Sequence, residues 1–295
     1  MDEPPFGRVL TAMVTPMRPD GSLDLERAAA LATRLVDAGD DGLVISGTTG
    51  EAPTTSDAEK AALLRAVVDA VGDRAHVLAG VGTNDTAHSV ELSRDAEKAG
   101  AAGLLAVTPY YSKPPQEGLV AHSLAIASAT ALPVMLYDIP GRTGAALRTE
   151  TILALAEHPQ VVALKDAKDD LAATSAVLAA CDLAVYSGTD VLNLPLLALG
   201  AVGVVSVVSH LVTPQLVELV AALDAGDLGR ARDVNRRLQP VYDGLFRTQG
   251  VILTKAALAL VGFPVGPVRL PLVDATKEQI SVLQTDLTGG GLALA

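Results

Sequence analysis

The sequence predicts an α/β fold, a (β/α)8 TIM barrel with a C-terminal helical extension. Eight short, apolar and β-branched runs alternate along the chain with segments of helical periodicity. No long linker separates these units, and eight is the number of strands that closes a parallel barrel. The 295 residues, 49% of them hydrophobic, suffice for such a barrel with additions.

The apolar runs have the composition of strands that are buried on both faces. They are residues 9–16, 42–47, 76–82, 103–109, 133–140, 161–167, 184–188 and 203–209. The rival fold, an open sheet that binds a dinucleotide, needs a G-x-G-x-x-G turn after its first strand. The first run leads instead into Met-Arg-Pro-Asp-Gly at residues 17–21, which favours the closed barrel.

The segments between the runs are rich in Ala, Leu and Glu, as helices are. Such segments occur at residues 25–38, 57–71, 87–99, 118–129 and 149–157. Ser56 and Glu59 form a capping box, Thr213 precedes a proline at a first helical position, and Gly39 and Gly100 are stop signals. Strand and helix are therefore predicted to alternate.

The residues after the eighth run predict several more helices. These are residues 214–223, 228–247, 251–261 and 277–285. We expect a barrel catalytic domain of residues 1–210 and a helical extension of residues 211–295 that packs on it.

Composition disfavours several classes of partner. The formal net charge is -12 and no Lys/Arg-rich run occurs, so we expect neither nucleic acid nor a membrane surface to bind. We expect a cytoplasmic location, because the N-terminus lacks a signal-peptide pattern and no apolar run reaches the roughly 20 residues that span a bilayer. Cys181 is the only cysteine and the five histidines are scattered, so no metal site is expected.

Polar residues at the carboxyl ends of barrel strands are the first functional candidates. Side chains alternate along a strand, so Lys165 in the sixth run is predicted to share a face with small apolar residues. These are Val161, Ala163 and Ala167. Such surroundings disfavour the ammonium, and a pKa drop of about 3 units would make the amine a nucleophile. The alternative is an ion pair with Asp166, although adjacent strand residues face opposite ways.

Three further features stand at strand ends. Tyr137 could move a proton on and off oxygen, or be an ordinary core aromatic. The turn at residues 47–51, Gly-Thr-Thr-Gly-Glu, could cradle a carboxylate while Thr48 passes a proton, although a plain strand-to-helix turn looks much the same. Arg142 could grip a carboxylate in two places, although most loop arginines are simply solvated.

Taken together, these residues resemble the dihydrodipicolinate synthase family, within the N-acetylneuraminate lyase superfamily of class I aldolases. The resemblance covers nearly the whole chain. Its motifs are TAMVTP at 11–16, GTTGE at 47–51, VTPYY at 107–111, YDIPGRTG at 137–144, LKDA at 164–167 and SGTD at 187–190. It implies condensation of pyruvate with L-aspartate 4-semialdehyde to 4-hydroxy-tetrahydrodipicolinate, on the diaminopimelate and lysine pathway, without a metal or organic cofactor.

The resemblance also implies roles for single residues. The implied catalytic residues are Lys165, which forms the Schiff base, and the proton relay of Thr48, Tyr137 and Tyr111. The implied substrate-binding residues are Thr49 for the pyruvate carboxylate, Arg142 for the semialdehyde carboxylate, and Gly188 and Val205 in the pyruvate pocket. In the family, the tyrosine at position 111 reaches into the neighbouring subunit's site, which implies an oligomer, usually a homotetramer built as a dimer of dimers.

The chain departs from the family pattern at two acidic residues and in one pocket. Asp138 stands where many members have Asn, and Asp166 where many have Glu. In the pocket through which lysine inhibits sensitive members, the chain keeps only two of the usual residues, Asn84 and Tyr110. The replaced positions are Ala52, Pro53, Asp57, Lys60 and His88. Because a cationic Lys60 would repel the ammonium groups of lysine, we expect weak or no inhibition by L-lysine.

Three alternatives stay open at this point. Another pyruvate-dependent aldolase of the superfamily, such as a sialic acid lyase or a 2-keto-3-deoxy sugar acid aldolase, would usually lack the arginine at position 142. A non-catalytic metabolite-binding barrel is predicted to have lost a relay residue, and all of them are present. A phosphate-binding or flavin barrel is disfavoured because Asp190 puts a carboxylate where a phosphate would sit.

Overall fold

The computed structural model describes residues 3–295 and contains a closed barrel of eight parallel strands, which pair in chain order. The strands are β1 (Val9–Ala12), β2 (Gly42–Ile45), β3 (His76–Gly80), β4 (Gly103–Val107), β5 (Val134–Asp138), β6 (Val161–Asp166), β7 (Ala184–Ser187) and β8 (Gly203–Ser206). The predicted barrel and all eight strands are confirmed. Each strand ends earlier than predicted, because the last residues of each apolar run leave the ladder and form the loops above the barrel.

Helices connect the strands and follow the last one. They are α1 (Leu25–Asp37), α2 (Asp57–Val71), α3 (Thr86–Lys98), α4 (Gln116–Ala127), α5 (Pro140–Thr143), α6 (Thr149–Ala156), α7 (Leu171–Ala180), α8 (Asn193–Leu199), α9 (Ser209–Asp224), α10 (Leu228–Leu245), α11 (Gly250–Leu260) and α12 (Lys277–Gly289). The predicted capping box is present at the start of α2, where Ser56 accepts from the Glu59 N–H and Glu59 accepts from the Ser56 N–H.

Helix α9 begins before its predicted start. Its backbone is not helical at Val212, where φ is -136°, so the Thr213-Pro214 signal follows a kink within the helix instead of opening it. The proposed boundary between residues 210 and 211 lies in the turn before this kink, and the division into two regions stays a prediction.

Three clusters of buried apolar side chains hold the strands and helices together. The inner cluster fills the barrel and includes Phe6, Leu10, Met135, Tyr186 and Val205. An outer cluster packs most of the connecting helices on the strands. A third cluster joins helices α8 to α12 to strands β1 and β8 through Val9 and Val204, so the C-terminal helices pack against one side of the barrel. No helix in residues 3–295 has both the length and the hydropathy that a membrane span requires.

Strand β6 departs from strict alternation near its start. Its register with β5 shifts beside Val162, so that Val161 joins the outer cluster and Val162 packs against the inner one. The prediction that Val161 shares the face of Lys165 is therefore wrong. Ala163 and Ala167 do belong to the inner cluster, as predicted.

Candidate active site

A cavity of about 920 Å³ lies above the carboxyl ends of β2 to β5. Its lining comes from the loops that follow these strands and includes Thr48, Tyr110, Tyr111, Tyr137 and Arg142. Carboxyl-end loops form the active sites of (β/α)8 barrels, so this cavity is the candidate site.

Lys165 lies at the end of β6, opposite Tyr137 of β5 in the strand register. Its side chain is 4% exposed, and its Nζ is 4.4 Å from the centroid of the Tyr137 ring. A Cβ atom at Gly188 would lie 2.9 Å from the Lys165 Cγ and 3.0 Å from its Cε. The glycine after β7 therefore leaves the space that the lysine side chain occupies.

Asp166 does not neutralise the lysine. Its carboxylate accepts hydrogen bonds from the Thr174 hydroxyl at 2.6 Å and from the Lys168 N–H at 2.9 Å. The alternative interpretation of Lys165, an ion pair with its neighbour, is therefore wrong, because the two side chains lie on opposite faces of β6.

Burial lowers the pKa of the Lys165 amine to about 8. The Asp190 carboxylate opposes this shift and the Arg142 guanidinium adds to it. A lysine with this pKa is about one-tenth free amine at pH 7, compared with roughly one part in a few thousand for an exposed lysine. The predicted direction of this pKa shift is confirmed, and the role of the amine as a nucleophile stays a prediction.

The carboxylate that acts on Lys165 is Asp190, and it has several hydrogen-bond donors of its own. Asp190 is buried and accepts from the Asn193 amide, the Ser206 hydroxyl and the N–H groups of Val207 and Val208. These bonds tie the loop after β7 to the loop after β8. The Asp190 carboxylate therefore has its hydrogen-bond partners without any contact with the lysine, and these bonds fix its place behind the site.

Tyr137 is buried, and burial raises the pKa of its phenol to about 12. The Arg142 guanidinium and a hydrogen bond with the Thr48 side chain oppose this rise. The phenol is therefore protonated at neutral pH and can donate a proton towards the lysine or accept one through Thr48. The structure thus brings together three of the four predicted catalytic residues.

The fourth, Tyr111, is not brought together with them. Its side chain borders the cavity but is 89% exposed, and its hydroxyl has no hydrogen-bond partner within residues 3–295. Its backbone has a φ of 74°, a left-handed conformation that costs a residue with a side chain roughly 1–2 kcal/mol. Its N–H donates to the Thr143 carbonyl at 3.2 Å, which fixes this conformation.

The remaining predicted residues have different environments. Thr49 is half-buried in the turn after β2 and does not line the cavity, and Val205 is fully buried in the inner cluster beside Leu10. Arg142 is exposed in the short helix α5 and borders the cavity. Its guanidinium forms no salt bridge within the part of the chain that the structure describes, so it is free to bind an anion.

The turn at residues 47–51 is held by an ion pair that the sequence interpretation missed. Glu51 has a left-handed backbone with φ 57°, and its buried carboxylate is 2.7 Å from the Lys255 Nζ in α11. The same carboxylate accepts from the Arg269 N–H at 2.8 Å, and Lys255 also donates to the Pro267 carbonyl at 2.6 Å. The C-terminal region therefore fixes the turn that presents Thr48.

One feature of the sequence points to a buried ion pair at Lys255. Lys255 is the single charged residue of α11, whose sequence is GVILTKAALAL. A lone cation on an otherwise apolar helix needs a buried anionic partner, since a buried lysine is rare without one. The signal predicts that a partner exists, but it does not identify Glu51.

Within residues 3–295, no group of three or more His, Cys, Asp or Glu side chains is arranged to hold a metal ion. An amine that is partly deprotonated at neutral pH can add to a carbonyl, and a neutral phenol beside it can protonate the oxygen. Fold and site together define an aldolase-type barrel enzyme.

Comparisons with known proteins give the family. The model of the dihydrodipicolinate synthetase family matches residues 5–289. A 4-hydroxy-tetrahydrodipicolinate synthase 2 of Streptomyces coelicolor is 64% identical over 290 residues, which cover 98% of this chain and 97% of the relative. A 4-hydroxy-tetrahydrodipicolinate synthase of Acidothermus cellulolyticus is 65% identical over 287 residues, which cover 97% and 93%.

A solved structure agrees with these relatives. The crystal structure of dihydrodipicolinate synthase from Cyanidioschyzon merolae with lysine bound superposes with a TM-score of 0.97 at 42% identity, over 99% of this chain and 100% of that one. The chain belongs to the dihydrodipicolinate synthetase family, and the predicted family is confirmed.

Proposed function

We propose that the chain is a 4-hydroxy-tetrahydrodipicolinate synthase, which condenses pyruvate with L-aspartate 4-semialdehyde through a Schiff base on Lys165. The observation that carries the proposal is the buried amine, with a pKa of about 8, against the Tyr137 ring. The names of relatives that are 56–65% identical support the choice of reaction.

The first half of the reaction activates pyruvate. The free amine of Lys165 adds to the keto carbon, and loss of water then gives a protonated imine. Tyr137, with Thr48 behind it, supplies the proton that the departing oxygen needs. The protonated imine withdraws electrons from the methyl carbon and allows it to lose a proton, so the reaction needs neither a metal nor an organic cofactor.

The second half forms the carbon–carbon bond. The resulting enamine attacks the aldehyde carbon of the semialdehyde, and the Tyr137 phenol protonates the new alkoxide. The amino group of the acceptor then attacks the imine carbon, which closes the ring and releases Lys165 as a free amine. The acceptor's ammonium loses its proton before this attack, so the whole cycle releases one water, at imine formation, and one proton.

Substrate binding is assigned to the groups around this amine. The turn that contains Thr48 and Thr49 binds the pyruvate carboxylate, and Gly188, which approaches the Lys165 side chain, and Val205 of the inner cluster form the wall of the pyruvate pocket. Arg142, exposed at the cavity and free of protein carboxylates, binds the carboxylate of the semialdehyde.

Tyr111 supports a proposal about assembly. The Tyr111 side chain is 89% exposed, so its burial within this chain does not offset the strain of its left-handed backbone. A second copy of the chain that packs on this surface would cover the ring and receive its hydroxyl in the neighbouring site. We infer a homo-oligomer, with the family's tetramer as its form.

The direct test supplies the purified protein with pyruvate and L-aspartate 4-semialdehyde and identifies the product by mass spectrometry. We expect the cyclic 4-hydroxy-tetrahydrodipicolinate. Turnover of a sugar aldehyde without turnover of the semialdehyde would assign the chain to another aldolase of the superfamily. Binding of pyruvate without turnover of any aldehyde would indicate the metabolite-binding alternative.

The rate of imine formation with pyruvate alone is expected to rise with pH and to level off above a pH of about 8. Only the free amine is nucleophilic, so the rate falls about tenfold for each pH unit below its pKa. The measurement is the initial rate of borohydride trapping at saturating pyruvate. A rate that keeps rising beyond pH 10, as it does for an exposed lysine, would contradict the lowered pKa.

Arg142→Ala is expected to lower kcat/KM for the semialdehyde by about 10- to 100-fold, the effect of losing a charge-assisted hydrogen-bonded contact of about 1.5–3 kcal/mol. Trapping of the pyruvate imine is expected to change little. Because the guanidinium also lowers the pKa of Lys165, trapping is compared at pH 9, where the amine is mostly free in both proteins. Equal losses in both measurements would count against the assignment.

L-lysine at millimolar concentration is expected to inhibit weakly or not at all. Lys60 and His88 both line the cavity and both contact Asp57, at 3.4 Å and 2.9 Å. The one carboxylate in this group is therefore already paired with two basic groups, and little negative charge is left for the ammonium groups of lysine. The measurement is the initial rate against lysine concentration; halving of the rate at a few millimolar would contradict this expectation.

A further inference from the structure

The loop that carries Arg142, residues 139–147, is closed at its base by a buried ion pair. Asp138, the last residue of β5, precedes the loop, and Leu147 ends it. The Asp138 carboxylate accepts from the Leu147 N–H at 3.2 Å, and the Lys168 Nζ donates to the Leu147 carbonyl at 2.8 Å. Lys168 and Asp138 are themselves 3.3 Å apart, so one lysine and one carboxylate hold both ends of the loop.

The buried Asp138 carboxylate depends on Lys168 for its countercharge. Asp138 is fully buried, and one of its carboxylate oxygens has no hydrogen-bond partner within residues 3–295. Burial raises the pKa of the Asp138 carboxyl, and the Lys168 ammonium opposes the rise. If the lysine were absent, the carboxylate would be buried without a cation, which is strongly unfavourable.

The pair also connects the loop to the strand of the nucleophile. Lys168 follows β6 by two residues, and the N–H of Ala167 donates to the Asp138 carbonyl at 2.9 Å. The base of the Arg142 loop and the end of the strand that carries Lys165 are therefore joined through adjacent residues. A shift of this base would change the distance between the guanidinium and the amine.

The Arg142 loop is internally bonded, so it is expected to move as one body. The Thr143 hydroxyl donates to the carbonyls of Ile139 and Ala145, at 3.1 Å and 2.8 Å. Gly144 has a φ of 76°, which lets the chain turn out of α5. Because the Arg142 guanidinium has no protein partner of its own within residues 3–295, its position follows from the loop backbone. That backbone is held at its base by this ion pair, and nearer its middle by hydrogen bonds from the Tyr111 N–H to the Thr143 carbonyl and from the Gln116 side chain to the Ala146 carbonyl.

We propose that Asp138 and Lys168 are positioning residues that set the place of Arg142 and thereby control binding of the acceptor aldehyde. The inference rests on the proposed function, in which Arg142 binds the acceptor carboxylate. A purely structural pair would affect both substrates or only stability. A positioning pair affects the KM for the acceptor and spares the reaction with pyruvate.

The test compares four proteins: the wild type, Lys168→Met, Asp138→Asn, and the double variant. Steady-state kinetics give KM for each substrate, and borohydride trapping with pyruvate alone reports imine formation. Lys168→Met is expected to raise KM for the semialdehyde about tenfold, while KM for pyruvate and the trapping rate stay within about twofold. The matched control is Lys98→Met, which breaks an exposed pair with Asp95 and is expected to leave all constants unchanged.

The double variant gives a second, independent outcome. It removes both charges, while the amide introduced at position 138 keeps an oxygen that can accept from the Leu147 N–H. KM for the semialdehyde is expected to return to within about threefold of wild type, because no uncompensated charge is left to open the loop. If Lys168→Met does not fold, the near-isosteric Asp138→Asn carries the test, with an expected rise in acceptor KM of about threefold at constant pyruvate KM.

Two results would overturn the inference. The first is an unchanged KM for the semialdehyde in Lys168→Met or, where that variant does not fold, in Asp138→Asn. The second is a change in KM for pyruvate, or a fall in the trapping rate, as large as the rise in KM for the semialdehyde. If the wild type forms the pyruvate imine but does not turn over the semialdehyde, the proposed function fails, and this inference fails with it.

Discussion

Lys165→Met is expected to abolish formation of the pyruvate imine and to lower the turnover rate by at least about a hundredfold. Methionine has a similar length and no charge, so it suits the apolar surroundings of Lys165 and keeps the contact with Gly188. Only the nucleophile is lost. The measurement is mass spectrometry after incubation with pyruvate and borohydride, in which the wild type gains one adduct on Lys165.

The fold is expected to survive this substitution. Lys165 forms no ion pair with Asp166, and Asp190 keeps all of its hydrogen bonds when the lysine is removed. The midpoint of thermal unfolding is therefore expected to stay the same or to rise. Lys277→Met, at the exposed start of α12, is the control and is expected to keep full activity. An adduct that persists in Lys165→Met, or forms on another lysine, would contradict the mechanism.

The strands could be predicted because each is mostly apolar and most of its residues are buried. Their ends could not, because the apolar run continues where the ladder stops. Val14 shows the reason: it is buried and belongs to the predicted first strand, yet its N–H donates to the His210 ring at 3.0 Å instead of to a neighbouring strand. Hydrophobicity reports burial, and it does not report which group accepts the hydrogen bond.

The burial of Lys165 could be predicted because a lysine near the end of an apolar run in a barrel faces the interior at the carboxyl end of its strand. The space that Gly188 leaves for it could not be predicted from this segment alone. The face of Val161 could not be predicted, because the register shift beside Val162 depends on how β6 pairs with β5. One extra residue in a strand reverses the faces that alternation assigns.

The ion pairs around the site could not be predicted for a different reason. Glu51 and Lys255 come from the loop after β2 and from α11, and nothing in either segment identifies the other. Asp138 is a similar case, since it pairs with Lys168 and not with the closer lysine in sequence, Lys165. Each segment shows a charge in apolar surroundings, which predicts that a partner exists. The identity of the partner follows only from the closed fold.

Lys255→Met is expected to lower the free energy of unfolding by about 3–5 kcal/mol, because it leaves the buried Glu51 carboxylate without its cation. The Arg269 N–H is then the strongest donor left to that carboxylate. The turn that presents Thr48 is expected to loosen, since its left-handed residue is Glu51 itself, so kcat should fall as well. The measurements are urea unfolding followed by circular dichroism, and steady-state kinetics on the folded fraction.

The double variant Glu51→Gln with Lys255→Met separates loss of charge balance from loss of packing. Removing both charges is expected to recover most of the stability, because a neutral amide can still accept from the Arg269 N–H and no buried ion is left unpaired. Lys98→Met is the control for a broken surface pair and is expected to cost less than about 1 kcal/mol. If Lys255→Met lowers the free energy of unfolding no more than this control does, the pair contributes little to the fold. The C-terminal region then does not fix the turn that presents Thr48.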